Sequence, residues 1–186
     1  MKRVLLLLLP ALFLFSYHTS HGCTIIVAGK KATTDGSVII SHSDAGPDCR
    51  VHVMPGQNFS KDARVPIYWG MTELGRPLGD YGDTLGFLPQ VEKTYSYFQS
   101  AYPQMNEFQL TIAESTTSMR DELKLDEKTC KQVMTVEQAQ ALALQRCTTA
   151  RQALKLITAL MEKYGFRPSC VGESESLVIA DTEEAW

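Results

Sequence analysis

The sequence lacks the features that identify several common classes of protein. No two of its five cysteines have CxxC spacing, which gives a zinc site little support. The formal net charge is −3, and no stripe of basic residues with interleaved aromatics is present, so a nucleic-acid groove is not expected. Internal repeats are also missing. What remains is enough chain for one domain with a sizeable core.

The longest apolar run lies at the N-terminus and is too short for a membrane span. Lys2 and Arg3 precede an apolar stretch over residues 4–15, and the small residue Gly22 follows. A bilayer-spanning helix needs about 20 apolar residues, whereas this arrangement is typical of a secretory signal peptide. We therefore predict a signal peptide at residues 1–22.

Cleavage after Gly22 would leave a domain of residues 23–186 that begins with Cys23. The protein would then be exported, and secreted, periplasmic or in a lysosomal-type lumen. A retained N-terminal anchor or a buried first helix is an alternative reading of the same run. Lipid attachment to Cys23 is a weaker one, because Ser20 stands where an aliphatic residue is normally found.

Few metal-ligating residues remain in the predicted mature chain. Of four histidines only His42 and His52 follow the signal, and we expect no metal or organic cofactor. The odd number of cysteines leaves one thiol unpaired in an oxidising compartment, and Cys23 is the natural candidate. The other cysteines, of which some are expected to form disulfides, are Cys49, Cys130, Cys147 and Cys170.

The hydrophobic pattern predicts an α+β domain. Strands are expected at residues 24–27, 37–41, 108–113 and 176–180, the first two as a hairpin. Apolar residues at helical spacing predict helices at 135–146 and 148–164, with Gly165 as a C-cap. Strands followed by paired amphipathic helices favour helices packed on a mainly antiparallel sheet.

A cysteine at a new N-terminus carries a nucleophile and a base on one residue. An α-amine has a pKa near 7.7 to 8.0, so it can accept the proton of the Cys23 thiol directly or through a water. Asp44 ends the segment 41–44, beside the predicted second strand of the hairpin, where its carboxylate can reach back toward that amine. Taken alone, an Asp before Ala-Gly is more often a turn former.

Several motifs in order resemble one family. The segments are 23–24 (CT), 35–37 (DGS), 41–44 (SHSD), 86–95 (GFLPQVEKTY), 102–110 (YPQMNEFQL), 114–116 (EST), 149–151 (TAR), 164–165 (YG), 172–174 (GES) and 179–186 (IADTEEAW). The chain from Cys23 onward is similar to the N-terminal-nucleophile (Ntn) dipeptidases of the peptidase-D and secernin type.

The resemblance implies a fold and a set of catalytic residues. The fold would be part of the four-layer αββα Ntn-hydrolase sandwich. Cys23 matches the nucleophile, Asp44 matches the aspartate that orients the α-amine, and Asn106 matches an asparagine whose amide helps bind the oxyanion. Without the family, Asn106 is most simply a turn or cap residue.

Two departures from the wider group of Ntn amidases stand out. Ser41 occupies the position where the bile-salt and penicillin branch carries an arginine. The dipeptidases are also much longer, so we expect this chain to be the N-terminal portion of such a domain. The strand at 176–180 would then end in a sheet edge or face whose apolar surface is exposed where further chain would cover it.

The expected activity is hydrolysis of dipeptides or short peptides through an acyl-enzyme on Cys23. Glu114 and Glu173 are candidates for binding the substrate ammonium, although each is more often a structural residue. His42 is left unassigned. The alternatives are an amidase of the acylase type acting on non-peptide amides, and a secreted secernin-like domain without catalysis. No nucleic-acid partner or membrane span is expected, and a homo-oligomer is left open.

Overall fold

The computed structural model describes residues 23–43, 50–69, 83–126, 128–168 and 173–186. The predicted signal peptide at residues 1–22 lies outside the described residues, as do Asp44, Cys49 and Cys170. The statements below concern the described ranges.

These ranges form eleven short strands, two helices and one 3-10 turn. The strands are β1 (Thr24–Ala28), β2 (Ile39–Ser43), β3 (His52–Met54), β4 (Arg64–Tyr68), β5 (Thr84–Pro89), β6 (Tyr97–Gln99), β7 (Pro103–Asn106), β8 (Thr111–Ser118), β9 (Met134–Thr135), β10 (Phe166–Arg167) and β11 (Glu173–Ala180). The helices are α1 (Val136–Arg146) and α2 (Ala150–Tyr164), and the 3-10 turn is Asp121–Leu123.

Both helices follow the sequence prediction closely. Helix α2 starts after Thr149, whose hydroxyl accepts a hydrogen bond from the Gln152 backbone N–H at 3.3 Å. It ends at Gly165, which has φ of 72° and donates its N–H to Met161. The predicted C-cap is therefore confirmed. Neither of the helices in the described ranges combines the length and apolarity needed to cross a bilayer.

The central element is a five-stranded antiparallel sheet in the order β11-β8-β7-β6-β3. Consecutive strand residues face opposite sides of a sheet. One side packs against α1 and α2 through a buried core that includes Tyr97, Ile112, Ile179, Leu142, Ile157 and Leu160. The strand prediction at 176–180 is confirmed, and β11 forms one edge of this sheet.

The β1–β2 hairpin packs on the other side of the sheet, against β8. Its antiparallel register runs without a shift from Thr24 opposite Ser43 to Ala28 opposite Ile39. The imidazole Nδ1–H of His42 donates to the backbone oxygen of Glu114 at 3.3 Å across the interface. Helices, sheet and hairpin thus form three successive layers, which confirms the α+β class.

The predicted strands differ from the observed ones in their bounds: the strand expected at 37–41 is β2 at Ile39–Ser43, β11 begins at Glu173, and the strand expected at 108–113 differs most. The segment at 108–113 begins as a turn, because Gln109 has φ of 63° and Asn106 bonds the backbone of Phe108 and Leu110. The strand therefore starts only at Thr111.

Large apolar side chains remain exposed on the hairpin and on the sheet. Ile26 is 65% exposed and Ile39 54% on β1 and β2, while Val53 is 66% exposed and Phe98 44% on β3 and β6. We call these four residues the apolar surface. The sequence led us to expect exposed apolar surface at the strand 176–180, but the apolar residues of β11 are half-buried or buried, and the four exposed residues lie elsewhere.

Candidate active site

Cys23 lies at the end of the hairpin ladder, directly before β1. It is half-buried, and its carbonyl oxygen accepts a hydrogen bond from the hydroxyl of Ser115 on β8 at 3.0 Å. The next residue, Thr24, donates its backbone N–H to the Ser43 hydroxyl oxygen at 3.1 Å. The chain on the C-terminal side of Cys23 is therefore fixed by two strands.

Asp44 lies outside the described residues. Its neighbour in sequence, Ser43, is the last residue of β2 and the partner of Thr24. His42 pairs with Ile25 and so shares the inward face of the hairpin with Cys23. Its bond to the Glu114 backbone connects the hairpin to the sheet.

Asn106 is placed far from Cys23. Its Nδ2 donates to the carbonyl oxygens of Leu144 at 2.9 Å and Cys147 at 2.8 Å, at the end of α1. Its Oδ1 accepts the backbone N–H of Phe108 and of Leu110. Because a strand rises about 3.3 Å per residue, roughly 17 Å of chain along β8 separates Leu110 from Ser115. The structure does not bring Asn106 to the nucleophile, and its oxyanion role stays a prediction.

The two candidate glutamates are also apart. Glu114 pairs with Leu177 and Glu173 pairs with Ser118, so about 13 Å of sheet lies between them. The Glu114 side chain is fully buried and accepts a hydrogen bond from the Thr116 hydroxyl at 3.3 Å. Alternation places it on the opposite face of the sheet from the Ser115 hydroxyl.

Glu173 opens β11 and is half-buried. It lies on the strand next to β8, three residue pairs from the level of Ser115, which is roughly 10 Å. It pairs with Ser118, so alternation places it on the same face of the sheet as Glu114 and not on the face of Ser115. The substrate-binding role of both glutamates stays a prediction.

Two site residues, Ser43 and Ser115, were not singled out from the sequence. Ser43 lies in the SHSD motif and Ser115 in the EST motif, so both were within quoted segments. The family motifs therefore pointed to the two segments but not to these residues. The register that brings these hydroxyls to residues 23 and 24 was not predictable, because Ser115 is 92 residues from Cys23 in sequence.

A groove of about 480 Å³ runs between the hairpin and the sheet. Its walls include Ile40 and His42 of β2, Met105 of β7 and Ala113 of β8. Ala113 precedes Ser115 on the same face of β8, so the groove ends about 7 Å from the residue that binds the Cys23 carbonyl. Cys23 is not one of the residues that line this groove.

Cys147 differs from Cys23 in its surroundings. It is a free thiol at the C-terminal end of α1 and is only 5% exposed. Burial raises the pKa of its thiol to about 11, although the neighbouring Arg146 guanidinium partly offsets this. Cys147 is therefore protonated and inert at neutral pH.

Cys130, another of the cysteines considered for disulfides, lies close to Arg167, whose Nη1 is 2.9 Å from the Cys130 sulfur. The pairing of Cys49, Cys130 and Cys170 stays a prediction. Among the described residues no group of three His, Cys, Asp or Glu side chains is arranged to hold a metal ion.

The C-terminal motif belongs to the fold and not to this site. The Asp181 carboxylate accepts backbone N–H groups from Ala150 at 2.7 Å, Glu183 at 2.7 Å and Glu184 at 2.9 Å. Burial opposes its ionisation, but these bonds and the charge of Lys30 outweigh burial and hold the pKa of Asp181 below its ordinary value. The carboxylate thus binds the N-terminus of α2 to the last residues of the chain.

Comparison with known proteins agrees with this arrangement. The chain matches none of the curated proteins. The sequence model described as Peptidase family C69 matches residues 22–186 and so includes Cys23, β1–β11 and both helices. The resemblance inferred from the motifs is confirmed: the chain belongs to Peptidase family C69, the dipeptidase family of Ntn-type cysteine peptidases.

Proposed function

We propose that the protein is an exported dipeptidase that uses Cys23 as an N-terminal nucleophile. The observation that carries the proposal is the position of Cys23 at the free end of the β1–β2 ladder, half-buried and fixed by β2 and β8. The family match supports it, since it begins at residue 22, next to the predicted cleavage site. Residues 1–22 then act as the signal peptide that exposes the α-amine.

The proposed chemistry needs only groups of the chain and water. The α-amine takes the thiol proton as Sγ of Cys23 attacks the substrate carbonyl carbon, and then gives that proton to the leaving amine. A thioester remains on Cys23. Water, deprotonated by the same amine, attacks the thioester, and the thiol recovers the proton as the carboxylate product leaves.

Asp44 is proposed to orient the α-amine. In the sequence it directly follows Ser43, and Ser43 pairs with the residue next to Cys23. An Asp44→Asn change keeps the shape of the side chain and removes the charge that holds an ammonium. No carboxylate is proposed for the substrate ammonium, because Glu114 and Glu173 both lie on the face of the sheet opposite to Ser115.

The helix layer, the five-stranded sheet and the hairpin are consistent with three successive layers of an αββα sandwich. The second helical layer, on the outer side of the hairpin, is part of the proposal. The exposed Ile26 and Ile39 on that side support it.

The decisive experiment changes the two groups of Cys23 separately. Cys23→Ala removes the thiol, and one extra residue before Cys23 turns the amine into a non-basic amide. Each is expected to abolish dipeptide hydrolysis by mature protein while the circular dichroism spectrum stays the same. Cys23→Ser should retain little activity, because a hydroxyl ionises far less than a thiol. Cys147→Ala is the matched control, since that thiol is buried and inert.

The result with the blocked amine separates this proposal from its alternatives. Equal hydrolysis of dipeptides by the extended and the mature forms would show that the α-amine is not the base. Faster cleavage of N-acylated amino acids than of dipeptides would favour the acylase alternative. A mature chain that begins at another residue would favour the non-catalytic domain.

A further inference from the structure

The peptide unit that joins Cys23 to Thr24 is bound by two serine side chains. Its C=O accepts the Ser115 hydroxyl at 3.0 Å, and its N–H donates to the Ser43 hydroxyl oxygen at 3.1 Å. The two serines come from β8 and β2, which belong to different layers. We call Ser43 and Ser115 the serine pair.

These two bonds restrict the nucleophile more than one bond would. A peptide unit is planar and includes the Cα atoms on both of its sides. Fixing its C=O and its N–H therefore fixes the plane and the Cα of Cys23. The thiol and the α-amine both extend from that Cα, so rotation about the Cα–C bond is the main remaining way to move them together.

Ser115 is itself held in place. It lies on β8, which has β7 on one side and β11 on the other. Its backbone oxygen accepts a hydrogen bond from the Ser176 hydroxyl on β11 at 3.0 Å. A side chain on an interior strand is a rigid support for a reacting group, because its own position is fixed by neighbours.

We propose that Ser115, with Ser43, is a positioning residue that aligns the thiol and the α-amine of Cys23 for catalysis. The inference rests on the proposed function of Cys23. Neither serine contacts the reacting atoms through these bonds; each acts on the peptide unit that follows the nucleophile. A misplacement of about 1 Å in a nucleophile can reduce the rate about a hundredfold.

The test compares Ser115→Ala, Ser115→Thr and the matched control Ser174→Ala in mature protein. Ser174 lies on β11 opposite Thr117, on the same face as Ser115, so the control removes one hydroxyl nearby. For Ser115→Ala we expect kcat to fall about tenfold to a hundredfold with KM nearly unchanged. Ser115→Thr should recover most of kcat, because it keeps the hydroxyl, and the control should match wild type.

A second measurement does not depend on turnover. Alkylation of Cys23 by iodoacetamide at pH 7, followed by peptide mass spectrometry, reports how well the amine assists the thiol. We expect slower alkylation in Ser115→Ala and unchanged alkylation in Ser174→Ala. Cys147 serves as an internal standard that stays unlabelled in folded protein.

The outcomes distinguish this inference from the proposed function. If wild type hydrolyses dipeptides and Ser115→Ala has the same kcat, or if threonine is as poor as alanine, the positioning role is wrong. If wild type shows no hydrolysis, the proposed function fails, and the alkylation rates alone decide on the serine pair. If Ser115→Ala does not fold, Ser43→Ala tests the same peptide unit from its N–H side. A Ser43→Ala variant with the kcat and the alkylation rate of wild type would then contradict the inference.

Discussion

The side chain of Asn106 uses all of its hydrogen-bonding capacity within the fold. Its two amide N–H groups donate to carbonyl oxygens at the end of α1, and its Oδ1 accepts two backbone N–H groups of the following turn. Since the residue is only 3% exposed, removal of the amide leaves buried carbonyl and N–H groups without partners.

We therefore predict that Asn106→Ala lowers the free energy of unfolding by roughly 3 kcal/mol, because each unpaired buried group costs about 1 to 3 kcal/mol. Urea denaturation measures this, with Gln104→Ala on the same strand as the control. An oxyanion donor behaves differently: its loss reduces kcat by about a hundredfold or more at unchanged stability. A stable, folded, inactive Asn106→Ala would restore the oxyanion role inferred from the resemblance.

Helix α2 is tied at its N-terminus to the C-terminal segment. The Asp181 carboxylate binds the first N–H of the helix, where the helix dipole favours a negative charge. Arg151 strengthens the same junction, because its Nη2 lies 2.8 Å from a Glu184 carboxylate oxygen and its guanidinium lies over the Trp186 ring.

At pH 7, Asp181→Asn is predicted to lower the free energy of unfolding by about 2 kcal/mol. The folded pKa of Asp181 is depressed below the ordinary value of 3.8. Its stabilisation is therefore complete above that value and is lost as the pH falls through the folded pKa. Urea titrations from pH 7 to pH 2 should show the difference between wild type and variant shrinking at the acid end.

The control for this prediction is Glu183→Gln, which removes an exposed ion pair with Lys30. Surface pairs of this kind contribute little, so a change below about 1 kcal/mol is expected. A constant difference between wild type and Asp181→Asn across the whole pH range would contradict the assigned role of the charge.

Local signals predicted the helices and the hairpin well, whereas long-range contacts were not predictable. Apolar spacing and the cap residues Thr149 and Gly165 act within a few residues, so they define α2 from sequence alone. Cys23 was singled out from its position after the predicted signal peptide. The contact of Ser115 with Cys23 and the burial of Glu114 depend on how β8 packs between the layers, which no local pattern reveals.

At the scale of the whole molecule, the covered and uncovered faces of the layers differ. The helix side of the sheet is packed, whereas the outer side of the hairpin and the β3–β6 end of the sheet present the apolar surface. Exposed apolar side chains of this kind favour association.

We predict that residues 23–186 self-associate in a concentration-dependent way. Size-exclusion chromatography with light scattering should show species larger than the monomer at micromolar concentration. Replacing Ile26 and Val53 together with threonine keeps β-branched side chains and should shift the distribution toward monomer. Leu123→Thr is the control, since Leu123 is 61% exposed outside the apolar surface. A monomer at every concentration would contradict the predicted self-association.

If Ser115 positions the proposed nucleophile, its bond to Cys23 also determines when that nucleophile becomes active. It joins residues 92 positions apart, so it forms only after β8 has been synthesised and packed on the hairpin. Contacts with such separation form late, because closing a long loop costs chain entropy. A nascent chain would therefore carry Cys23 as an ordinary thiol, and peptides that meet the chain before it folds would not encounter an aligned nucleophile.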